Sequence, residues 1–118
     1  MKPDDLDEFL ASLGLTVEEI DGQDGRKYTV VRSYSIAVGR LAGTVCDIAI
    51  HKPPEEPYVL PSAIHTRPHL IAMDGKAPLA TRISDIGPDW QYWSRRYDGP
   101  VTPKKIWTHV LTVLKEAP

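Results

Sequence analysis

The sequence predicts an α+β protein, in which an N-terminal helix, an antiparallel meander sheet of three to four strands and a C-terminal helix follow one another. Two observations support this fold class. Apolar residues recur at helical spacing near both ends of the chain, and the strand-type alternation of apolar and polar residues fills the region between them. With 118 residues, the chain is long enough for one hydrophobic core, so we expect a single domain over residues 1–118.

Both predicted helices have recognisable boundaries. The first should begin near Pro3, which suits a first helical turn, and should end at Gly14. Its apolar stripe consists of Leu6, Phe9, Leu10 and Leu13. The second should be capped by Thr102, with Pro103 at its first position. Its apolar stripe consists of Ile106, Trp107, Val110, Leu111 and Leu114.

The predicted strands lie between residues 27 and 66. The stretches "KYTVVRSYSI" (27–36) and "TVCDIAIHK" (44–52) are rich in β-formers, and an antiparallel pair is their simplest connection. Four prolines then predict a long, stiff loop: Pro53, Pro54, Pro57 and Pro61. "SAIHT" (62–66) predicts a further short strand, whereas residues 68–88 have no firm periodicity and are predicted to be irregular.

The composition argues against several functional classes. The formal net charge of −2 gives no general basic field for nucleic acid or a membrane surface. No apolar run approaches the ~20 residues that span a bilayer, and the first residues lack the apolar core of a signal peptide. The single cysteine excludes an internal disulfide and fits a reducing compartment. We therefore expect a cytoplasmic protein without a membrane or nucleic-acid partner.

The lone cysteine and the histidines have mainly structural interpretations. Cys46 lies on the apolar side of its predicted strand, where a thiol behaves as a small hydrophobe. His65 and His69 are four residues apart, but on a proline-interrupted extended segment with few further ligands nearby. We expect a hydrogen-bonded or solvent-facing pair of histidines, with no metal and no cofactor.

The stretch "WQYWSRRY" (90–97) is the most distinctive local signal. In a structural interpretation, Trp90 and Trp93 close the core and the stems of Arg95 and Arg96 cover it. In a functional interpretation, the arginines and Ser94 form an anion or acyl site. The two interpretations are compatible, and local chemistry does not choose between them.

Several segments together resemble the ubiquitin-conjugating-enzyme fold. The stretch "CDIAIHKPPEEPYVLPSAI" is similar to its strand and proline-rich flap, and "VTPKKIWTHVLTVL" is similar to the helix after its active site. The opening "LASLGLTVEEI" and the "W..WSR" pattern are similar to a bacterial branch, the prokaryotic conjugating-enzyme-like family E. Members occur in operons with an activating enzyme, ubiquitin-like proteins and often a peptidase, so the resemblance implies these partners.

The sequence departs from the conjugating-enzyme pattern in three places. Pro57 precedes Tyr58, which reverses the usual order in the flap. No cysteine follows Pro53, and the segment that corresponds to the thioester cysteine region, "MDGKAPLATRIS", offers only the hydroxyls of Thr81 and Ser84. Arg96 stands where the family tends to have histidine.

The resemblance implies a carrier that accepts the C-terminus of a ubiquitin-like protein, here on Ser94 as an oxyester, with Thr81 and Ser84 as further candidate nucleophiles. Arg95 and Arg96 would bind the terminal carboxylate or stabilise the oxyanion. The candidate bases are His65, His69, Asp89 and Asp98. Trp90 and Trp93 would hold the segment in place as a loop.

Two alternatives remain open at this point. The first is a catalytically inactive variant that keeps the fold and binds the ubiquitin-like protein or the activating enzyme as an adapter. The second is a small α+β ligand-binding domain, unrelated to conjugation, whose tryptophans only fill the core.

Overall fold

The computed structural model describes residues 1–59, 62–76 and 79–118. Its elements, in chain order, are α1 Pro3–Ser12, β1 Thr16–Asp21, β2 Lys27–Ser35, β3 Val45–Lys52, β4 Ala63–Arg67, β5 Thr81–Ile83, β6 Gln91–Ser94 and α2 Pro103–Lys115. The strands form one antiparallel sheet in the order β1-β2-β3-β4-β6-β5. The α+β class with a helix at each end is confirmed, but the sheet has six strands in place of three to four.

Three strands were not predicted from the sequence, because their apolar–polar alternation is weak or short. β1 follows Gly14, whose φ of +83° lets the chain turn back after α1, and its two acidic neighbours Glu18 and Glu19 interrupt the apolar alternation. β5 lies in the stretch predicted to be irregular, and β6 lies in the stretch predicted to be a loop. With three and four residues, they are too short for a period of two to stand out.

The predicted helices are both present, with one error in the apolar stripe of α1. Leu6 and Leu10 are fully buried, but Leu13 is 51% exposed because the helix has already ended at Ser12. In α2, the Oγ1 of Thr102 accepts a hydrogen bond from the backbone N–H of Lys105, as an N-cap should. Four predicted core positions of α2 are buried, and Leu111 packs against them at the edge: Ile106, Trp107, Val110 and Leu114.

The predicted pairing of β2 with β3 and the proline-rich connection are also present. Val31 lies opposite Ile48, and Thr29 lies opposite Ile50. The following segment is irregular over its described part, which includes three of the four prolines, whereas Pro61 lies outside the described residues.

Both faces of the sheet are covered. The helices pack on one face and enclose the larger core, which includes Trp93. On the opposite face, the segment 84–90 crosses the sheet and closes a second, smaller core with Ile86 and Trp90 over Tyr28 and Val30. The two tryptophans therefore fill different cores, as expected for positions an odd number of residues apart on an extended chain.

A buried lysine joins α1 to the sheet. The Nζ of Lys52, on β3, contacts carboxylate oxygens of Asp4 at 2.6 Å, Asp7 at 2.7 Å and Glu19 at 2.9 Å. Asp7 also accepts a hydrogen bond from the hydroxyl of Thr29. Because these partners lie on α1, β1 and β2, the cluster fixes the helix over one end of the sheet.

Candidate functional site

The only thiol of the protein is a core residue. Cys46 lies on β3 and is 3% exposed, within the core beneath the helices. Burial, with a smaller contribution from the Asp47 carboxylate, raises the pKa of the thiol to about 11. The expectation that Cys46 is a structural residue is confirmed, and a thiol in this position is a poor nucleophile.

Ser94, the leading predicted nucleophile, is the last residue of β6. Its backbone pairs with Ala63 of β4, and its N–H donates to the carbonyl of Ala80 at 2.8 Å. The side chain is half-buried and lies on the sheet face opposite to Trp93. Within the described part of the chain, its hydroxyl has no hydrogen bond to a histidine or a carboxylate.

The two arginines after Ser94 have different environments. The guanidinium of Arg95 donates to the carbonyls of Leu79 at 3.0 Å and Ser94 at 3.1 Å, and burial lowers its pKa. Its side chain therefore ties the segment before β5 to the end of β6. The side chain of Arg96 is 78% exposed and has only a distant contact to Asp98, with Nε and the carboxylate oxygen 3.4 Å apart. Of the two, Arg96 is the more available to an incoming anion.

His65 and Ser84 are brought together although 19 residues separate them in sequence. The Nδ1 of His65 is 2.8 Å from the Oγ of Ser84, which also accepts a hydrogen bond from the N–H of Ile86 at 3.1 Å. His65 is 6% exposed and Ser84 is 4% exposed, and burial lowers the pKa of the imidazole to about 4. A neutral histidine with so low a pKa is a weak base, and its serine partner is poorly accessible to a protein substrate.

Three other predicted residues meet at a cleft, which we call the α2 cleft. It has a volume of about 710 Å³ and lies between residues 69–74 and the C-terminal end of α2. His69, Thr81 and Arg95 line it, although Thr81 itself is 3% exposed. The Nε2 of His69 is 3.0 Å from the carbonyl of Pro88 and donates to it. Its remaining walls are largely apolar and include Leu41, Leu70, Ile71, Leu79, Val113 and Ala117.

Two residues that the sequence analysis did not select shape this region. The fully buried side chain of Gln91 accepts from the N–H groups of Leu70 at 2.9 Å and Ile71 at 3.2 Å, and donates to the carbonyl of Ile71 at 2.7 Å. His109 of α2 donates from Nε2 to the carbonyl of Arg95 at 3.0 Å. For Gln91, the sequence offered one signal. The glutamine lies between two tryptophans, and a polar residue among core residues usually makes hydrogen bonds.

The described residues also limit metal binding and membrane insertion. Over these residues, no group of three or more histidine, cysteine, aspartate or glutamate side chains could hold a metal ion. Over the same residues, no helix is both long enough and apolar enough to cross a bilayer.

The architecture defines a class of protein. An N-terminal helix, an antiparallel sheet with a proline-rich connection between β3 and β4, and a C-terminal helix are consistent with a conjugating-enzyme-like (E2-like) core. A family model described as Prokaryotic E2 family E matches residues 2–117, so the chain belongs to that family. No curated protein and no solved structure matches the chain.

Membership has general consequences for function. The family supports a conjugating-enzyme-like role and implies interaction with a ubiquitin-like protein and an activating enzyme in general. In this protein, the only cysteine lies in the core.

Proposed function

We propose that this protein acts as a non-covalent adapter in a bacterial ubiquitin-like conjugation system, binding the ubiquitin-like protein or its activating enzyme. The observation that carries the proposal is the burial of Cys46, the only cysteine in the sequence. A thioester carrier needs an accessible thiolate, and this thiol is both inaccessible and held in its protonated form. The protein would work in the cytoplasm, and a peptidase of the same system is a further proposed partner.

The hydroxyl groups support the same proposal. Thr81 and Ser84 are almost completely buried, and Ser84 is held by His65 and the N–H of Ile86. A hydroxyl needs a base in hydrogen-bond reach to become a nucleophile. Among the described residues, no histidine or carboxylate is hydrogen-bonded to the hydroxyl of Ser94, which supports the adapter.

The α2 cleft is the proposed docking site. Its volume of about 710 Å³ and its largely apolar walls suit a short apolar peptide segment of the partner. Leu79 is 56% exposed on the cleft and offers apolar surface that folding leaves uncovered. Residues 70 and 71 are fixed by Gln91, so one wall of the cleft is formed before binding.

A second candidate function is the carrier that uses Ser94. Two observations favour it: the Ser94 side chain is partly accessible, and the neighbouring Arg96 is 78% exposed, so its guanidinium can reach the oxyanion that forms during attack. In this case the Ser94 Oγ attacks the C-terminal carbonyl of the ubiquitin-like protein, presented as a thioester on the activating enzyme, and the thiolate of that enzyme leaves. The activating enzyme would have to supply the base that takes the hydroxyl proton.

The two candidates are separated by intact-mass spectrometry and gel filtration. The protein is incubated with the cognate activating enzyme, the ubiquitin-like protein and ATP. The adapter predicts an unchanged mass together with a complex that co-elutes on the column. A mass equal to the two proteins minus one water, mapped to Ser94 and lost in Ser94→Ala, would overturn the adapter and establish the carrier.

The docking site is tested with two matched variants. Leu79 and Ile83 are each 56% exposed, but only Leu79 lines the α2 cleft. We expect Leu79→Asp to weaken the complex by about tenfold or more, because a carboxylate then lies in an apolar contact. Ile83→Asp should leave the affinity unchanged, and equal losses in both variants would contradict a site in the α2 cleft.

A further inference from the structure

A second cavity lies on the sheet face opposite to the helices, and neither proposed function uses it. We call it the flap groove. It has a volume of about 650 Å³ and lies between the sheet and the proline-rich segment. Cavities of this size accommodate small-molecule ligands. Its aromatic and apolar lining includes Tyr28, His51, Pro53, Pro54, His65 and Tyr92.

The floor of the flap groove is a row of rings from four strands. The ring centroids of Tyr28 and His51 are 5.8 Å apart, those of Tyr28 and His65 are 5.2 Å apart, and those of His65 and Tyr92 are 5.4 Å apart. Each pair meets edge to face, at interplanar angles of 68–76°. Because Tyr28 and His65 are buried, these rings are held in fixed positions. The partly exposed rings of His51 and Tyr92 are the accessible part of this floor, and prolines lie on the other side of the groove.

The hydrogen bonds of His65 decide which polar group reaches the groove. The Oγ of Ser84 already accepts from the N–H of Ile86, and in this buried position its own proton needs an acceptor. The nearest acceptor is the Nδ1 of His65 at 2.8 Å. The neutral ring then carries its proton on Nε2, which has no hydrogen bond to another described residue. His65 lines the groove, and no fully buried side-chain nitrogen of the described residues lacks a partner, so the unbonded Nε2–H retains accessible area and can donate to a ligand.

The charged residues of the groove also favour an acceptor ligand. Both carboxylates of the groove already have donors, and the oxygens of Asp24 accept from the hydroxyl of Tyr28 at 2.6 Å and the N–H of Arg26 at 3.0 Å. Asp85 lies 3.5 Å from the guanidinium of Arg82, which stacks on Tyr92. The guanidinium of Arg26 is exposed and makes no ion pair within the described part of the chain. It can therefore bind an anion without breaking an existing contact.

We propose that the flap groove binds a small planar aromatic acid. The ring lies between the aromatic floor and Pro53 and Pro54, and the carboxylate accepts hydrogen bonds from His65 Nε2–H and Arg26. The site is independent of the α2 cleft, because the sheet separates the two.

The experiment uses indole-3-carboxylate as the probe, with indole-3-carboxamide and cyclohexanecarboxylate as controls. Binding is followed by NMR titration of the full chain, observing amide and histidine ring nitrogens. We expect saturable shifts at His51, His65 and Tyr92, with a dissociation constant on the order of 0.1–1 mM for a ligand of this size. The carboxamide should bind about tenfold more weakly, because it cannot form the charge-assisted hydrogen bonds. Cyclohexanecarboxylate should also bind about tenfold more weakly, because it is not planar and loses the ring stacking.

Two variants, each of which removes one exposed positive charge, test whether Arg26 binds the carboxylate of the ligand. Arg26→Met should weaken binding of the carboxylate about tenfold and leave the carboxamide unaffected. Lys104→Met removes the same charge from α2, on the other side of the sheet, and should change neither affinity. The proposal is overturned if the probe gives no saturable shift up to about 10 mM, roughly ten times the weakest expected constant. It is also overturned if the carboxamide binds equally well, or if the His65 ring proves to be protonated on Nδ1.

Discussion

The indole Nε1–H of Trp93 donates a 3.0 Å hydrogen bond to the Oγ1 of Thr66, and both side chains are completely buried. Trp93 lies on β6 and Thr66 lies on β4, so the bond joins neighbouring strands beneath the helices. The stretch 90–97 is therefore anchored in the core, because Trp93 and Ser94 belong to a strand, and Arg95 and Arg96 follow that strand directly.

This pair gives a prediction about stability. Thr66→Val keeps the shape of the side chain but leaves the Trp93 N–H without an acceptor, and should lower the free energy of unfolding by about 2 kcal/mol. Trp93→Phe removes the donor and core volume, and should cost about 3 kcal/mol. In urea unfolding, the double variant should fall short of the sum by about 1 kcal/mol. Strict additivity would mean that the hydrogen bond has no energetic role.

Cys46 gives a prediction about reactivity. A thiol with a pKa of about 11 has, at pH 8, a thiolate fraction at least 100-fold smaller than an ordinary cysteine of pKa about 8.5, and burial slows access further. Native protein should therefore react with iodoacetamide at least about 100-fold more slowly than the same protein in urea. Equal rates in the two states would remove the main observation against a thioester carrier.

The Lys52 cluster gives a prediction about pH dependence. Hydrogen bonding to Lys52 lowers the pKa values of Asp4 and Glu19, and although burial acts to lower the pKa of Lys52, bonds to Asp4, Asp7 and Glu19 raise it. A carboxylate with a depressed folded-state pKa stabilises the fold above its unfolded value and loses that contribution as the pH falls. Stability should therefore decline from about pH 5 downward.

Two lysine variants test the pH dependence by urea unfolding between pH 3 and pH 7. Lys52→Met should cost about 2 kcal/mol at pH 7 and progressively less at lower pH, because its partners become protonated. Lys27→Met removes a lysine that is 51% exposed and also contacts Glu19, and should affect stability much less at every pH, because solvent screens an exposed pair. A penalty for Lys52→Met that stays constant with pH would contradict the assignment.

The elements that could be predicted from sequence are those with local causes. β2, β3 and α2 have long periodic patterns, and Thr102 with Pro103 marks the start of α2 through its own chemistry. The burial of Cys46 followed from its position in the β3 alternation. β6 could not be predicted, since four residues with one tryptophan look the same in a strand and in an anchored loop.

The positions of the candidate site residues depend on contacts between segments that are distant in sequence, and a local sequence pattern does not predict such contacts. His65 meets Ser84 only because residues 84–90 fold back over the sheet, where Ile86 and Trp90 find apolar partners. The same crossing creates one side of the flap groove. Residue types could indicate candidate acids, bases and hydroxyls, but their partners were set by the tertiary path of the chain.

The side chain of Gln91 gives the prediction that connects the core to the α2 cleft. Gln91→Leu keeps the side-chain size but leaves the N–H groups of Leu70 and Ile71 and the carbonyl of Ile71 without their partner. We expect a loss of about 2–3 kcal/mol in the free energy of unfolding, because buried polar groups become unsatisfied. Hydrogen exchange at the amides of residues 70 and 71 should accelerate more than exchange in β2 and β3.

The conservative variant Gln91→Glu separates a local role from a general loss of stability. It retains an acceptor for the two N–H groups and loses the donor to Ile71, so exchange at residues 70 and 71 should be intermediate. If Gln91 positions the wall of the α2 cleft, partner affinity should fall in the order wild type, Gln91→Glu, Gln91→Leu under conditions where all three proteins remain folded. Uniform acceleration of exchange across the whole sheet, with unchanged affinity, would show that Gln91 contributes only to global stability.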